Sequence, residues 1–392
     1  MQKVKTLLVG LGGYGNQYVN AILDHGDAAG VELVGTVDPH PEACSRYNEV
    51  VARSGRAFVS MDEFFEASAA DLVVISAPIH LHEPFSIAAM EHGAVVLCEK
   101  PAAGSIQAGL AMAAASERLG RPLLIGYQWA FAESFLSLQN RVAAGELGAC
   151  RRVRGIGFWP RGASYYTRNS WAGRIKTDAG EWILDSPLNN AMAHFVHNPL
   201  FVLGQEPVTV QAELYRANPI ESFDSVALRG TLSGGTELIF CAAHAVPSKM
   251  EPCLYYEFEK CSVFARAFGM VSVLHNDGRI EKLPLSDAPV VDKLRNAAGV
   301  VRGEDKAACS ISDSLGQLRV VAGAHLSSPV SDLPADLLEQ TDDVTWAHQL
   351  PEALVMTYGS GKLPSETGNF SWARPGAEVS VRDILRFEGL GR

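Results

Sequence analysis

A chain of 392 residues exceeds one ordinary small domain and predicts two. With 47% hydrophobic and 20% charged residues it reads as a soluble globular protein, and no apolar run is long enough to predict a membrane-spanning helix. A net charge of -11, with no Lys/Arg cluster to offset it, argues against nucleic acid as a partner.

Seven cysteines (Cys44, Cys98, Cys150, Cys241, Cys253, Cys261 and Cys309) are scattered without a CxxC pair. They predict reduced thiols in a cytoplasmic protein. The N-terminus runs from Met1 straight into an apolar stretch with no signal-peptide cleavage pattern, which points the same way.

The first strand is Val4–Val9. Gly10-Leu11-Gly12-Gly13-Tyr14-Gly15 follows it and opens a helix reaching His25. This G-x-G-x-x-G sits between strand and helix, the context a dinucleotide turn needs. Gly10 permits the tight turn, Gly12 lets a pyrophosphate approach the backbone, and Gly15 permits close helix–strand packing. The helix N-terminus offers N–H groups and a positive dipole to the phosphates. The second strand, Val31–Val37, ends at Asp38, near the offset expected for the carboxylate that binds the adenine ribose. A carboxylate there repels a 2′-phosphate, so NAD is expected, with NADP the alternative if Arg46 or Arg53 turns inward.

Helical patterns at Pro41–Ser54, Met61–Ala67, Glu83–His92 and Ser105–Leu119 alternate with strands Leu72–Ser76, Ala94–Cys98 and Pro122–Tyr127. Buried strands alternating with helices predict a parallel, doubly wound Rossmann sheet over residues 1–128. Ser76, Ala77, Pro78, His80 and His82 follow one strand, Glu99 and Lys100 follow the next, and Gln128 follows the last. Carboxyl ends of parallel strands are where such sheets bind ligands. With the turn residues and Asp38 these are the candidate cofactor-binding residues. A lysine at that place transfers a proton when desolvation or a nicotinamide cation lowers its pKa.

Beyond about residue 130 the pattern changes. Phe131–Ala144 reads as a helix, followed by strands Cys150–Trp159, Val208–Ala217, Ser225–Leu232, Thr236–Ala245, Leu254–Phe268 and Val271–Leu274. Ser233-Gly234-Gly235 and Asn276-Asp277-Gly278 are hairpin turns. Ser314–His325 and Val344–Tyr358 read as helices. Residues 129–392 therefore predict an α+β domain with a large, mostly antiparallel open sheet and helices on one face. Its uncovered face is expected to carry Leu254, Tyr256, Phe258, Val263 and Phe264, and to be buried by a second copy.

Within that domain Ser186 is an N-cap and Pro187 a first helical residue. Leu188, Ala191, Met192, Phe195 and Val196 form an apolar stripe, leaving Asn190, His194 and His197 on the other face. An Asn–His pair one turn apart can grip a hydroxylated carbon and take its proton. The loop carrying Tyr165, Arg168 and Trp171 suits sugar hydroxyls or carboxylates, or is an exposed connection. His80-x-His82 and His194-x-x-His197 lack further ligands at a recognisable spacing, so no metal is expected.

Gly10, Gly12, Gly15, Asp38, the run Ala77-Pro78-Ile79-His80-Leu81-His82 and Glu99-Lys100-Pro101 together resemble the glucose–fructose oxidoreductase/inositol dehydrogenase (Gfo/Idh/MocA) family. The resemblance is strong over residues 1–130. It implies that Lys100 contacts substrate and cofactor, and that Pro101 follows a cis peptide. The family usually shows Asp, then His four residues later, on the second-domain helix. Here Asn190 stands four before His194 and Asn189 four after Asp185. Counting back from Leu203-Gly204 favours His194 as the family histidine, with His197 the runner-up and a candidate substrate contact, and with Asp185 at the pocket edge. The resemblance implies an NAD(P)-dependent dehydrogenase or reductase acting on a sugar, polyol or related hydroxy compound, with Lys100 and His194 catalytic. It also implies a homodimer or homotetramer built on the second-domain sheet. The alternative is a dinucleotide-binding sensor on the same fold.

Overall fold

Short aliphatic runs, buried on both sides, build the first sheet: β1 (Val4–Val9), β2 (Val31–Val37), β3 (Ala57–Phe58), β4 (Leu72–Ile75), β5 (Val95–Cys98) and β6 (Leu123–Ile125). The structure is a computed structural model and describes residues 2–267 and 270–389. Every residue of β4 is fully buried, as a strand covered on both faces demands. All pairings are parallel, in the order β3-β2-β1-β4-β5-β6, which is the Rossmann order. Between the strands run α1 (Gly15–Ala29), α2 (Tyr47–Ser54), α3 (Met61–Ala67), α4 (His82–Glu91) and α5 (Ile106–Leu119). The strand order reverses between β1 and β4, so the turn after β1 lies at the switch point where this architecture binds ligands.

The chain divides into two compact units. The first comprises 1–103, 108–132 and 286–315, and the second 104–107, 133–285 and 316–392. The sequence division at 128/129 differs from this chiefly in one element. The helix at Pro289–Arg302 returns to the first unit, where it packs on α1. Its signals are readable: Pro289 at the first helical position, buried Val291, Leu294, Ala297 and Ala298 at helical spacing, and Gly303 as the closing residue. They lie far from the other Rossmann elements in sequence, and so do not announce their partner.

The second unit begins with α6 (Glu133–Ala143), β7 (Cys150–Phe158) and the short α7 (Ala163–Thr167), then α8 (Ala193–Leu203). Next come β8 (Pro207–Arg216), β9 (Ser225–Leu232), β10 (Glu237–Ala243), β11 (Met250–Phe258), β12 (Cys261–Arg266), β13 (Met270–His275) and β14 (Ile280–Pro284). After α9 (Pro289–Arg302), the helix that belongs to the first unit, comes α10 (Ile311–Ser327). It is succeeded by β15 (Val330–Asp332), the hairpin β16 (Leu338–Thr341) and β17 (Val344–Ala347), α11 (Leu350–Ser360) and β18 (Val379–Ser380). Among the described residues the large sheet runs β14-β13-β12-β11-β7-β10-β9-β8-β15, with β18 also on β8. The pairs β10–β7 and β15–β8 are parallel and the others antiparallel.

Three expectations need correction. Leu254–Phe268 is not one strand. It contains most of β11 and all of β12, which turn at Glu259-Lys260, and Phe268 lies outside the described residues. The turn carries no Gly or Asn, so it left no sequence signal. Val344–Tyr358 is not one helix. Val344–Ala347 pairs with Leu338–Thr341, and the helix starts only after Gln349, which adopts a left-handed φ of 64°. The β-branched and aromatic Val344, Thr345 and Trp346 suit a strand.

The third correction concerns the open face. Leu254, Tyr256 and Val263 are fully buried and Phe258 nearly so. The period of two along β11 and β12 turns them inward and leaves Phe264 outward, beside Tyr255. The side opposite α8 is partly covered as well. α11 packs on β10 and β7, and Leu350 and Leu354 share a core with Ile156, Phe158 and Cys241. The apolar residues left exposed on β12–β14 are Phe264, Met270, Leu274 and Ile280.

Candidate active site

In the first unit the Gly-rich turn is shaped by contact distances. Gly10 has φ +89°, and a Cβ there would stand 2.3 Å from the Ser76 carbonyl oxygen at the end of β4. A Cβ on Gly15 would stand 2.2 Å from the Gly10 carbonyl oxygen, so both positions exclude any side chain. At Gly12 a Cβ would meet nothing within 4 Å. The turn is thus crowded on its sheet side and open where a pyrophosphate must approach. Nothing caps α1 by a side chain and its first turn holds no acid, so its N-terminal dipole is left for an anion. These residues fit a dinucleotide.

Asp38 lies at the end of β2 and is tied into this turn. Its Oδ2 accepts from Leu11 N–H at 2.7 Å and its Oδ1 from His40 N–H at 2.8 Å. Each oxygen keeps a lone pair for a ribose hydroxyl. Arg46 is engaged elsewhere: its guanidinium binds Asp24 through two nitrogens at 2.8 Å and Glu49 at 2.7 and 2.9 Å. Tyr14, in the turn, is exposed.

Glu99 and Lys100 follow β5, and the Lys100–Pro101 peptide is cis. The Glu99 carboxylate is buried and serves three partners. Tyr18 O–H donates to Oε1 at 2.7 Å, the Lys293 ammonium donates to the same oxygen, and Lys100 N–H donates to Oε2 at 3.1 Å. Gly126 lies alongside, where a Cβ would come 2.6 Å from Oε1. Lys293 comes from α9, is fully buried, and stacks its ammonium 4.9 Å from the Tyr14 ring and 4.8 Å from the Tyr18 ring. Burial raises the pKa of both phenols, with the Glu99 charge adding to the rise. Sequence reasoning did not identify Lys293, because a lone lysine in a distant helix carries no local motif.

His82 spans two of these loops, with Nδ1 2.8 Å from the Pro101 carbonyl oxygen and Nε2 2.9 Å from that of Ala77. It is buried, and burial lowers its pKa. Its observed contacts are therefore to backbone. Ser76, Ala77, Pro78, His80 and Gln128 are half-exposed at the strand ends.

In the second unit Ser186 caps the segment Pro187–Ala191 by accepting from Asn189 N–H at 3.2 Å. That segment is a wide π-turn that ends at Met192. α8 starts afresh at Ala193, so Asn190 and His194 do not stand one turn apart on a single α-helix. Asn190 Nδ2 donates instead to Asp185 Oδ1 at 2.8 Å, while Asp185 Oδ2 accepts from Gly173 N–H at 2.6 Å. Asp185 is buried. α8 is buried all round except at His194, which is half-exposed; His197 is buried and stacks on Phe201 with ring centroids 5.6 Å apart.

The loop after β7 brings Tyr165, Arg168 and Trp171 together. The Arg168 guanidinium lies 3.5 Å from the Tyr165 ring centroid and 5.2 Å from that of Trp171. Two residues not singled out in the sequence join them. Arg161 lies 4.7 Å from the same Tyr165 ring, and the His244 ring 5.8 Å from it. Tyr165, Tyr166, Asp185 and His244 line one small void. Burial, then the Asp185 charge, raises the Tyr165 pKa, so the phenol stays protonated at neutral pH. Among the described residues no three His, Cys, Asp or Glu side chains gather as a metal site, and no helix is long and apolar enough to cross a membrane.

Residues 4–127 match the Gfo/Idh/MocA group described as an oxidoreductase family with an NAD-binding Rossmann fold. An inositol 2-dehydrogenase of Corynebacterium glutamicum (strain R) is 27% identical over 163 residues, 41% of this chain and 48% of that protein. The match thus spans about half the length of such curated relatives. The WlbA dehydrogenase from Bordetella pertussis, solved in complex with NADH and UDP-GlcNAcA, superposes with a TM-score of 0.68 at 23% identity. It covers 82% of this chain and 95% of that one. An oxidoreductase from Agrobacterium radiobacter, in complex with NAD+, L-tartaric acid and magnesium, gives 0.67 at 16% identity over 97% and 99%. At these identities the likeness is one of fold.

Proposed function

We propose that this chain, whose residues 4–127 match the Gfo/Idh/MocA oxidoreductase family, is an NAD-dependent dehydrogenase acting on a CH–OH group of a sugar, polyol or related hydroxy compound. The observation that carries this reading is the Glu99 carboxylate. It holds the Lys100 backbone on one oxygen and α1, the helix of the dinucleotide turn, on the other through Tyr18. The names of its relatives, inositol 2-dehydrogenases among them, support the substrate class.

Gly10–Gly15 and the α1 N-terminus hold the cofactor phosphates, and Asp38 holds the adenine ribose. The same carboxylate and the occupied Arg46 disfavour a 2′-phosphate. A bound nicotinamide supplies the hydride acceptor. Lys100 and His194 are the proposed proton-handling groups, one taking the hydroxyl proton and the other holding the oxygen. Asp185 and Asn190, with Tyr165, Arg168 and Trp171, are proposed to contact substrate; His197 serves packing. The chain is proposed to work in the cytoplasm, as a dimer or tetramer joined through the exposed residues of β12–β14.

A screen of NAD and NADP against sugars, inositols and sugar acids tests the reading. NADH formation with at least one compound is expected. Dinucleotide binding without turnover on any of them would instead favour a sensor.

A further inference from the structure

Arg161 and Arg168 both lie over one aromatic ring, that of Tyr165. Among the described residues no carboxylate stands within ion-pair distance of either guanidinium. The Arg161 Nε is buried and has no hydrogen-bond acceptor. A buried guanidinium N–H without an acceptor is costly, and a site whose ligand completes it explains why it persists. Aromatic faces, not acids, orient the two forks: Tyr165 for both, Trp159 at 5.7 Å for Arg161 and Trp171 for Arg168. Arg168 also donates to the Tyr165 carbonyl.

His244 adds a different kind of group. Its Nδ1 lies 2.8 Å from the Trp159 carbonyl oxygen, which can only accept, so Nδ1 carries the proton. Burial first, then the Trp159 carbonyl and the two guanidiniums, set its titration, and the net effect lowers the pKa to about 3. The imidazole is therefore neutral at physiological pH, and Nε2 presents a bare lone pair. That atom accepts from a hydroxyl and repels an anion. Backbone pairing keeps the elements in register, with Arg161 N–H donating to the His244 carbonyl at 3.2 Å.

We infer that Arg161 and Arg168 form a carboxylate-reading subsite, that His244 Nε2 accepts a neighbouring hydroxyl, and that the substrate is accordingly a hydroxy acid of the sugar-acid type. This deepens the dehydrogenase reading and rests on it. Two carboxylates belong to the same surroundings: Asp185 lines the small void shared by Tyr165 and His244, and Asp343 accepts from Ser164 N–H and O–H. A singly charged ligand suits such surroundings better than a phosphate dianion. A planar carboxylate also suits the guanidinium fork.

The test compares D-glucuronate with D-glucose, and D-gluconate with myo-inositol, binding to the NADH-loaded protein by calorimetry. Inorganic phosphate is added as a competitor and NADH formation is read in parallel from NAD. The acids are expected to bind at least about tenfold more tightly than their neutral partners. Arg161→Gln and Arg168→Gln should each remove most of that preference while NADH affinity holds. Arg168 is exposed, so its variant keeps the test alive if Arg161→Gln does not fold. Failure of all acids to bind, equal binding of the neutral compounds, equally effective phosphate, or an undiminished preference in Arg168→Gln would overturn the subsite. Turnover of a neutral polyol alone leaves the dehydrogenase reading standing and removes this one. Arginine-dependent acid binding without turnover of any compound does the reverse.

Discussion

Lys293 and Glu99 form an ion pair in the interior of the first unit, with side chains 0% and 7% exposed, across 194 residues of sequence. The lysine arrives on a helix from the later half of the chain, and the glutamate opens the Glu-Lys-Pro segment. Tyr18 supplies a further donor to the same oxygen. A buried pair of this kind depends on both members, since removing one strands the other without solvent.

Lys293→Met is therefore expected to destabilise the protein by about 3–5 kcal/mol, the usual cost of breaking a buried pair. Glu99→Gln together with Lys293→Met should cost clearly less than the two single changes summed. Urea unfolding of the four proteins in the cycle checks this, and additive losses would mean that the charges do not depend on each other.

A preference for NAD over NADP is expected from Asp38 and Arg46. NAD(H) should bind at least about tenfold more tightly than NADP(H), the scale of one well-placed charge interaction. Asp38→Asn should weaken NAD(H) and narrow the gap, because it removes the negative charge and weakens the hold on Leu11 N–H. Fluorescence titration with both cofactors reads this; tighter NADP(H) binding by the unaltered protein would refute it.

Acid should destabilise the protein through its buried histidines. Burial lowers the pKa of His325 to about 4 and that of His244 to about 3, below the ordinary value of 6.5. Between those values and 6.5 the unfolded chain binds more protons than the folded one. Stability therefore falls as pH drops below about 6.5, by up to about 1.4 kcal/mol per pH unit for each group. His325 packs between the Phe223 and Phe387 rings and both its nitrogens lack partners. His325→Leu should raise Tm and flatten its decline between pH 7 and pH 5. An unchanged slope would contradict this account.

Assembly through β12–β14 predicts a mass above the 42.1 kDa of one chain by light scattering at micromolar protein. Leu274→Glu and Ile280→Glu, on the exposed face, should shift it toward the monomer. A wild-type monomer would refute this interface.

Much of the first unit is legible in the sequence because its signals are local. Strand, glycine turn, helix and Asp38 follow one another within a few tens of residues, and Gly10 and Gly15 each answer a contact of a few ångströms. Lys293 is illegible for the opposite reason, since only tertiary packing brings it to Glu99. The helix phase around Asn190 also misleads. Asn, Ala and His repeat at α-helical spacing, yet the backbone widens into a π-turn at 187–191 and restarts at Ala193. Arg161 and His244 lie outside any motif and meet only because the strand and loop around Trp159 pair with the chain beyond β10. The inward turn of Leu254 and Tyr256 was a matter of strand phase, which apolar content alone does not decide.

The proposed role of Lys100 is to handle the proton in a reaction for which Gly10–Gly15 hold the cofactor. It is tested most directly by measuring NADH binding and NADH formation side by side in wild type and Lys100→Ala, with His194→Ala beside them. Turnover in Lys100→Ala should fall by roughly 10²–10⁴-fold, the range for a lost acid or base, while NADH binds as before. Full turnover in Lys100→Ala, or a wild-type protein that binds NADH yet oxidises no hydroxy compound, would contradict it.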